Sequence, residues 1–167
     1  RVDIQPLLHG GGQEKGLRSG TENIAAIVGF GMACELASQR QSDFASHTQR
    51  LQDQFEQGLK TLNVTIFSHE ATRIPNTSFF AVSGIEGETL VMALDRKGFA
   101  VASGSACSSD STEPSHVLLA MGVSHDLARG AVRVSFGSHN TEQHVADFLA
   151  ALKNEITRLR QLTGIAA

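Results

Sequence analysis

Cys107 stands in the run Ala102-Ser103-Gly104-Ser105-Ala106-Cys107-Ser108-Ser109-Asp110-Ser111, between an apolar segment ending at Val101 and a helix expected near Pro114. Small polar neighbours predict a thiol on a mobile, exposed loop, open to chemistry; structural cysteines keep apolar company, and the accessible thiolate is the reactive form. The second cysteine, Cys34, continues an apolar helical stripe and reads as core packing. A zinc site needs partners, yet His9, His47, His69, His116, His125, His139 and His144 show no ligand-like pairing, and His139 and His144, five apart, do not share a helical face. A redox Cys-x-x-Cys is absent. Acyl transfer with His116 or His125 as base stays formally open without a local signature. A lone nucleophilic thiol on a flexible tether is the chemical reading left; an exposed loop with an incidental cysteine is the other.

Two further stretches bear on chemistry. Ala131-Val132-Arg133-Val134-Ser135-Phe136 alternates as a strand, which turns Arg133 and Ser135 away from the core-facing Val132, Val134 and Phe136. Arg133 then points to solvent or to a site. Gly10-Gly11-Gly12 and Gly16 make a backbone-dense loop, followed by Ser19 and Glu22 at the spacing of a capping box. A helix start beside Arg18 suits an anion, but the glycines form neither a P-loop nor a G-x-G-x-x-G, so a tight turn before a helix explains them better than phosphate binding does.

These stretches must be positioned by a fold, and apolar periodicity outlines it. The stripe Ile24, Ile27, Val28 and Gly31 predicts one helix, and Phe44, Leu51, Phe55, Leu59 and Leu62 predict a second over Ser42 to Leu62. Strands are expected at Val64–Phe67 and Asn76–Val82, then a turn at Gly84–Gly87 and a helix over Glu88–Lys97 ended by Gly98. A short strand over Phe99–Ala102 leads into the Cys107 loop. Short helices are expected over Ser115–Met121 and Ser124–Arg129, then the Arg133 strand. Asn140 or Thr141 caps a final helix striped by Val145, Phe148, Leu149, Leu152, Ile156 and Leu159, and residues 164–167 read as a frayed tail. This order predicts an α+β (α/β) domain, helices packed on a largely antiparallel sheet.

Composition narrows the function classes. The 167 residues are 41% hydrophobic and 19% charged, as in a soluble globular protein with one main core. No apolar run approaches a membrane span, so no membrane partner is expected. A net charge of -3 and the absence of Trp and Tyr argue against nucleic acid. Two cysteines far apart in sequence fit a reducing compartment, and a cytoplasmic protein is expected. The chain opens Arg1-Val2-Asp3 without an initiator Met or signal pattern, and reads as a fragment or processed product.

Three motifs in order resemble one family. His9-Gly10-Gly11-Gly12-Gln13-Glu14 with Arg18-Ser19-Gly20-Thr21-Glu22-Asn23 resembles a segment of the pyridoxal-phosphate-dependent cysteine desulfurases, of the class V aminotransferase superfamily. Ser103 to Ser108 with Glu113-Pro114-Ser115-His116-Val117-Leu118 and Ala120-Met121-Gly122 is similar to the active-site loop of their group I, the Nif and Isc type. Val132 to Gly137 followed by Thr141-Glu142 is similar to their arginine motif. The resemblance implies the small C-terminal domain of a fold-type I enzyme: residues 1–22 end the large domain with a dimer-contact loop, and residues 23–167 form the interdomain helix and the small domain. It implies pyridoxal 5'-phosphate as cofactor, L-cysteine as substrate, L-alanine as product and a persulfide on Cys107, handed to a sulfur-acceptor or scaffold protein for iron-sulfur cluster assembly or thiolation. It implies that Arg133 pairs with the substrate carboxylate, and that Gly20 and Thr21 reach the cofactor phosphate across a homodimer. Arg18 adds charge there or forms a structural ion pair. No metal is implied. The family's cofactor lysine follows a histidine upstream of the glycine-rich segment, and Lys15, Lys60, Lys97 and Lys153 have no such neighbour. The chain alone is therefore expected to be inactive. A free-standing persulfide carrier and an aminotransferase-like relative without desulfurase activity are the rival expectations.

Overall fold

A computed structural model describes residues 2–104 and 113–163. The chain divides into two compact units, Arg1–Gln41 and Ser42–Ala167. In the first, a 3-10 turn at Gln13–Gly16 precedes α1 (Ile24–Leu59). The two long helices expected here are a single 36-residue element. Residues between Ala37 and Asp43 are polar and interrupt the apolar stripe, yet they include no Gly or Pro to stop a helix. Cys34 is exposed, as are Ile24, Ile27 and Val28 at 63%, 52% and 64%, which corrects the core role expected for Cys34. Helical period identifies an apolar face; it does not say what covers that face.

The second unit is built on an antiparallel sheet of β1 (Thr65–Ile66), β2 (Thr77–Ala81), β3 (Ala102–Ser103) and β4 (Ala131–Ser135) in the order β1-β2-β4-β3. Helices α2 (Gly87–Asp95), α3 (His116–Ala120), α4 (His125–Arg129) and α5 (Glu142–Thr163) complete it. β3 is shorter and later than expected, because pairing with β4 begins only where Ala102 meets Arg133. One sheet face, carrying Phe80, Val132 and Val134, packs with Leu51, Phe55 and Leu59 of α1, Leu90 and Leu94 of α2, and Val145, Phe148 and Leu152 of α5. Phe55 is its hub, edge-to-face with Phe80, Phe136 and Phe148 at ring separations of 5.9, 5.7 and 5.6 Å. A smaller cluster on the other face joins Ala81 and Ala131 to Phe67, Leu118 and Ala128, so that α3 and α4 cover one end of that face. α2 starts directly against β4: a Cβ on Gly87 would stand 2.5 Å from the Ala131 carbonyl oxygen, so this close approach requires glycine. Thr141 caps α5, its Oγ1 accepting from the His144 amide at 3.2 Å. No helix among the described residues is long and apolar enough to cross a membrane.

A polar clasp ties α1 to β2. Thr48, Gln52 and Glu56 recur at four-residue spacing, one column beside the apolar stripe. Gln52 Nε2 donates to the Thr77 carbonyl at 2.6 Å, while Arg73 donates to both Glu56 oxygens at 2.7 and 2.8 Å and Ser78 Oγ to Glu56 Oε1 at 2.7 Å. Burial pushes the Glu56 carboxyl up, but the hydrogen bonds from Arg73 and Ser78 and the Arg73 charge outweigh it, leaving the group below its ordinary value of 4.5. A carboxyl with a depressed folded value stabilises the fold above its unfolded value and loses that contribution as pH falls through the folded one. Glu56→Gln is therefore expected to lower the melting temperature at neutral pH and to flatten its fall in acid; thermal melts across that range check this. Two charge-assisted bonds of this kind are worth about 1.5–3 kcal/mol each at most.

Candidate active site

β4 aims its odd-numbered side chains off the main core. Val132 and Val134 are buried and Arg133 and Ser135 exposed, as strand alternation requires. Arg133 has no carboxylate partner among the described residues and sits mid-sheet, opposite Phe79 on β2 and Ala102 on β3. A planar guanidinium presented without a protein anion suits a ligand carboxylate, which it grips with two parallel donors. β3 runs on to Gly104, whose amide donates to the Ala131 carbonyl at 2.8 Å. Cys107 lies three residues further along and falls outside the described residues, as does the loop expected around it. The chain is described again from Glu113, and α3 opens with His116 exposed; His125, also exposed, opens α4.

In the first unit the glycine-rich stretch is stitched by its own side chains. Ser19 Oγ donates to the Gly11 carbonyl at 2.8 Å, and the Gly20 amide donates to Gln13 Oε1 at 3.3 Å. Arg18 Nη1 donates to the carbonyls of Gly20 and Thr21 at 3.0 and 2.9 Å, so this guanidinium braces the turn. Gly20 holds φ at +100°, a backbone shape that favours glycine. The capping box expected from Ser19 and Glu22 does not form. Asn23 caps α1 instead, its Oδ1 accepting from the Ala26 amide at 3.1 Å, because Ser19 is engaged with Gly11 and α1 starts only at Ile24. Thr21 is exposed, two residues before that cap, and its hydroxyl has no intramolecular partner among the described residues. The unpaired Thr21 hydroxyl, just ahead of the positive end of a long helix, is a donor that an anion such as a phosphate monoester could use. The first unit thus carries Gly20 and Thr21, and the second carries Arg133 and the strand leading to Cys107. Sequence reasoning missed the bracing roles of Arg18 and Gln13, since neither follows from a local spacing rule.

The pattern of the class-V aminotransferase family matches residues 2–148. Cysteine desulfurase IscS 1 of Archaeoglobus fulgidus is 42% identical over 165 residues, which cover 98% of this chain and 43% of that protein. Cysteine desulfurase of Gluconacetobacter diazotrophicus is 41% identical over 164 residues, covering 97% and 41% respectively. Among solved structures, a NifS-like protein superposes with a TM-score of 0.80 at 38% identity over 93% of this chain and 40% of its own. A NifS-like protein from Rickettsia africae also gives 0.80, at 34% identity over 93% and 41%. The chain therefore spans about two fifths of the length of these relatives.

Proposed function

Given that this chain belongs to the class-V aminotransferase family, we propose that it is the sulfur-accepting portion of a pyridoxal-phosphate-dependent cysteine desulfurase, which converts L-cysteine to L-alanine and a persulfide on Cys107. The observation that carries this reading is Arg133: an exposed guanidinium with no carboxylate partner among the described residues, in ladder register with Ala102, five residues before Cys107, in a chain about two-fifths identical to proteins named cysteine desulfurase. The relatives named cysteine desulfurase support the reaction; the roles of Arg133 and Thr21 rest on their geometry and motifs, that of Cys107 on its motif.

Arg133 binds the substrate carboxylate bidentately and so fixes the direction of the side-chain sulfur. When bound, pyridoxal phosphate supplies an electron sink conjugated to the substrate amine. Thr21 would hold its phosphate through the free hydroxyl, with Gly20 giving the turn its shape and Arg18 keeping the turn rigid. Cys107 acts as thiolate: its sulfur forms an S–S bond to the substrate sulfur as the substrate C–S bond breaks. The electron pair of the broken bond stays with carbon, which takes a proton and leaves as alanine. An acceptor or scaffold protein then receives the persulfide sulfur. A cytoplasmic homodimer, with Thr21 serving the cofactor of the partner subunit, is part of the same proposal. The test is product analysis of the intact enzyme with L-cysteine and a thiol reductant: alanine and sulfide in equal amounts are expected. Sulfide with pyruvate in place of alanine would contradict it.

A further inference from the structure

Resting on that reading, we propose that Phe79 is a positioning residue that sets both the direction of Arg133 and the exit of the chain that carries Cys107. Phe79 and Arg133 face each other across the β2–β4 ladder and share one sheet face, where directly opposed side chains stand within contact of each other. The other neighbours of Arg133 on that face are small: Ala102 across the β3 ladder, and Ala131 and Ser135 along β4 itself. Among the described strand neighbours, the phenyl ring is thus the one large side chain beside the arginine stem. It borders the arginine on the β2 side.

The same ring backs Gly104. A Cβ on Gly104 would stand 3.3 Å from Phe79 Cζ and 2.8 Å from Ala131 Cβ, so this position beside the ring tip and β4 favours glycine. The Gly104 amide is fixed to the Ala131 carbonyl at 2.8 Å in the same place. Phe79 is in turn held by Phe67, at a ring separation of 5.2 Å and a tilt of 53°. One clamped ring therefore stands with its tip beside Gly104, the last described residue of the segment leading to the nucleophile, and flanks the carboxylate anchor with its stem. A rigid ring beside both the carboxylate anchor and the backbone at Gly104 is the kind of support that preorganisation of a site requires.

The two contacts separate by mutation, because they use opposite ends of the ring. Phe79→Tyr keeps the ring beside Arg133 but adds an oxygen to the tip that faces Gly104. In the intact enzyme it is expected to slow persulfide formation on Cys107 on the order of tenfold while leaving KM for L-cysteine unchanged. Phe79→Ala removes both contacts, and is expected to raise KM as well as slow persulfide formation. Phe80→Leu, next in sequence but buried on the opposite face, is the stability control: it should lower the melting temperature and move neither kinetic parameter. If both Phe79 variants behave as Phe80→Leu does, the positioning role is wrong. Arg133→Ala, assayed alongside, separates this failure from a deeper one. A KM raised by Arg133→Ala but not by Phe79→Ala overturns Phe79 alone, whereas a KM unmoved by Arg133→Ala overturns the carboxylate reading on which it rests.

Discussion

In the intact enzyme, Cys107→Ser is expected to reduce alanine formation from L-cysteine by at least about a thousandfold, the scale seen when a covalent nucleophile is removed, while Cys34→Ser leaves the rate unchanged. A serine hydroxyl at this position is not ionised near neutral pH and is a poor nucleophile toward sulfur, so the C–S bond of the substrate has no acceptor. The remaining groups would still bind substrate. KM should therefore change far less than kcat, a split that separates loss of the nucleophile from loss of the fold. Cys34 is the natural control, being the other thiol of the chain and placed on α1 in the first unit, away in sequence from every group given a role. Steady-state assay of alanine with each variant checks both arms.

Arg133→Ala is expected to raise KM for L-cysteine roughly thirtyfold, the equivalent of about 2 kcal/mol for one charge-assisted, two-pronged contact. The effect should fall on kcat/KM more than on kcat, because a carboxylate is held alike in the ground state and the transition state. Arg133→Lys keeps the charge but loses the fork, so an intermediate KM is expected. Neither change should move the melting temperature much, since the side chain is exposed and carries no ion pair among the described residues. Substrate titration and a thermal melt of the three proteins give both numbers. A melting temperature that falls with KM unchanged would make Arg133 a structural residue.

What could be read from the sequence divides along the range of the interactions. The direction of Arg133 follows from strand alternation alone, a local rule, and β4 obeys it. The α5 stripe and the Thr141 cap are equally local, and Val145, Phe148, Leu152, Ile156 and Leu159 are buried. Gly98 and Gly122 end their helices with positive φ, as their positions require. Rules of the same kind misled where a side chain had a distant partner. Ser19 has capping-box spacing, but its hydroxyl is used by Gly11, and Asn23 takes the cap. Gln52 and Glu56 look like the solvated side of α1, yet they grip β2 through Thr77 and Ser78 and the loop before it through Arg73, partners 17 to 25 residues away. Cys34 sits on an apolar period whose cover lies nowhere among the described side chains. In the candidate site, the residue types and the off-core direction of Arg133 were legible. The bracing of Thr21 by Arg18 and the closeness of Phe79 to Gly104 were not, since both depend on a loop closure or a strand register. The reading of Cys107 rests on its motif and on the strand that leads to it.

The most direct test of the central claim is mass spectrometry of the intact enzyme after a single turnover with L-cysteine, digested under conditions that preserve persulfides. One extra sulfur on the peptide containing Cys107, with none on the peptide containing Cys34 and one alanine released per sulfur gained, is the result expected. Alanine released with Cys107 unmodified, or the sulfur found on Cys34, would contradict it.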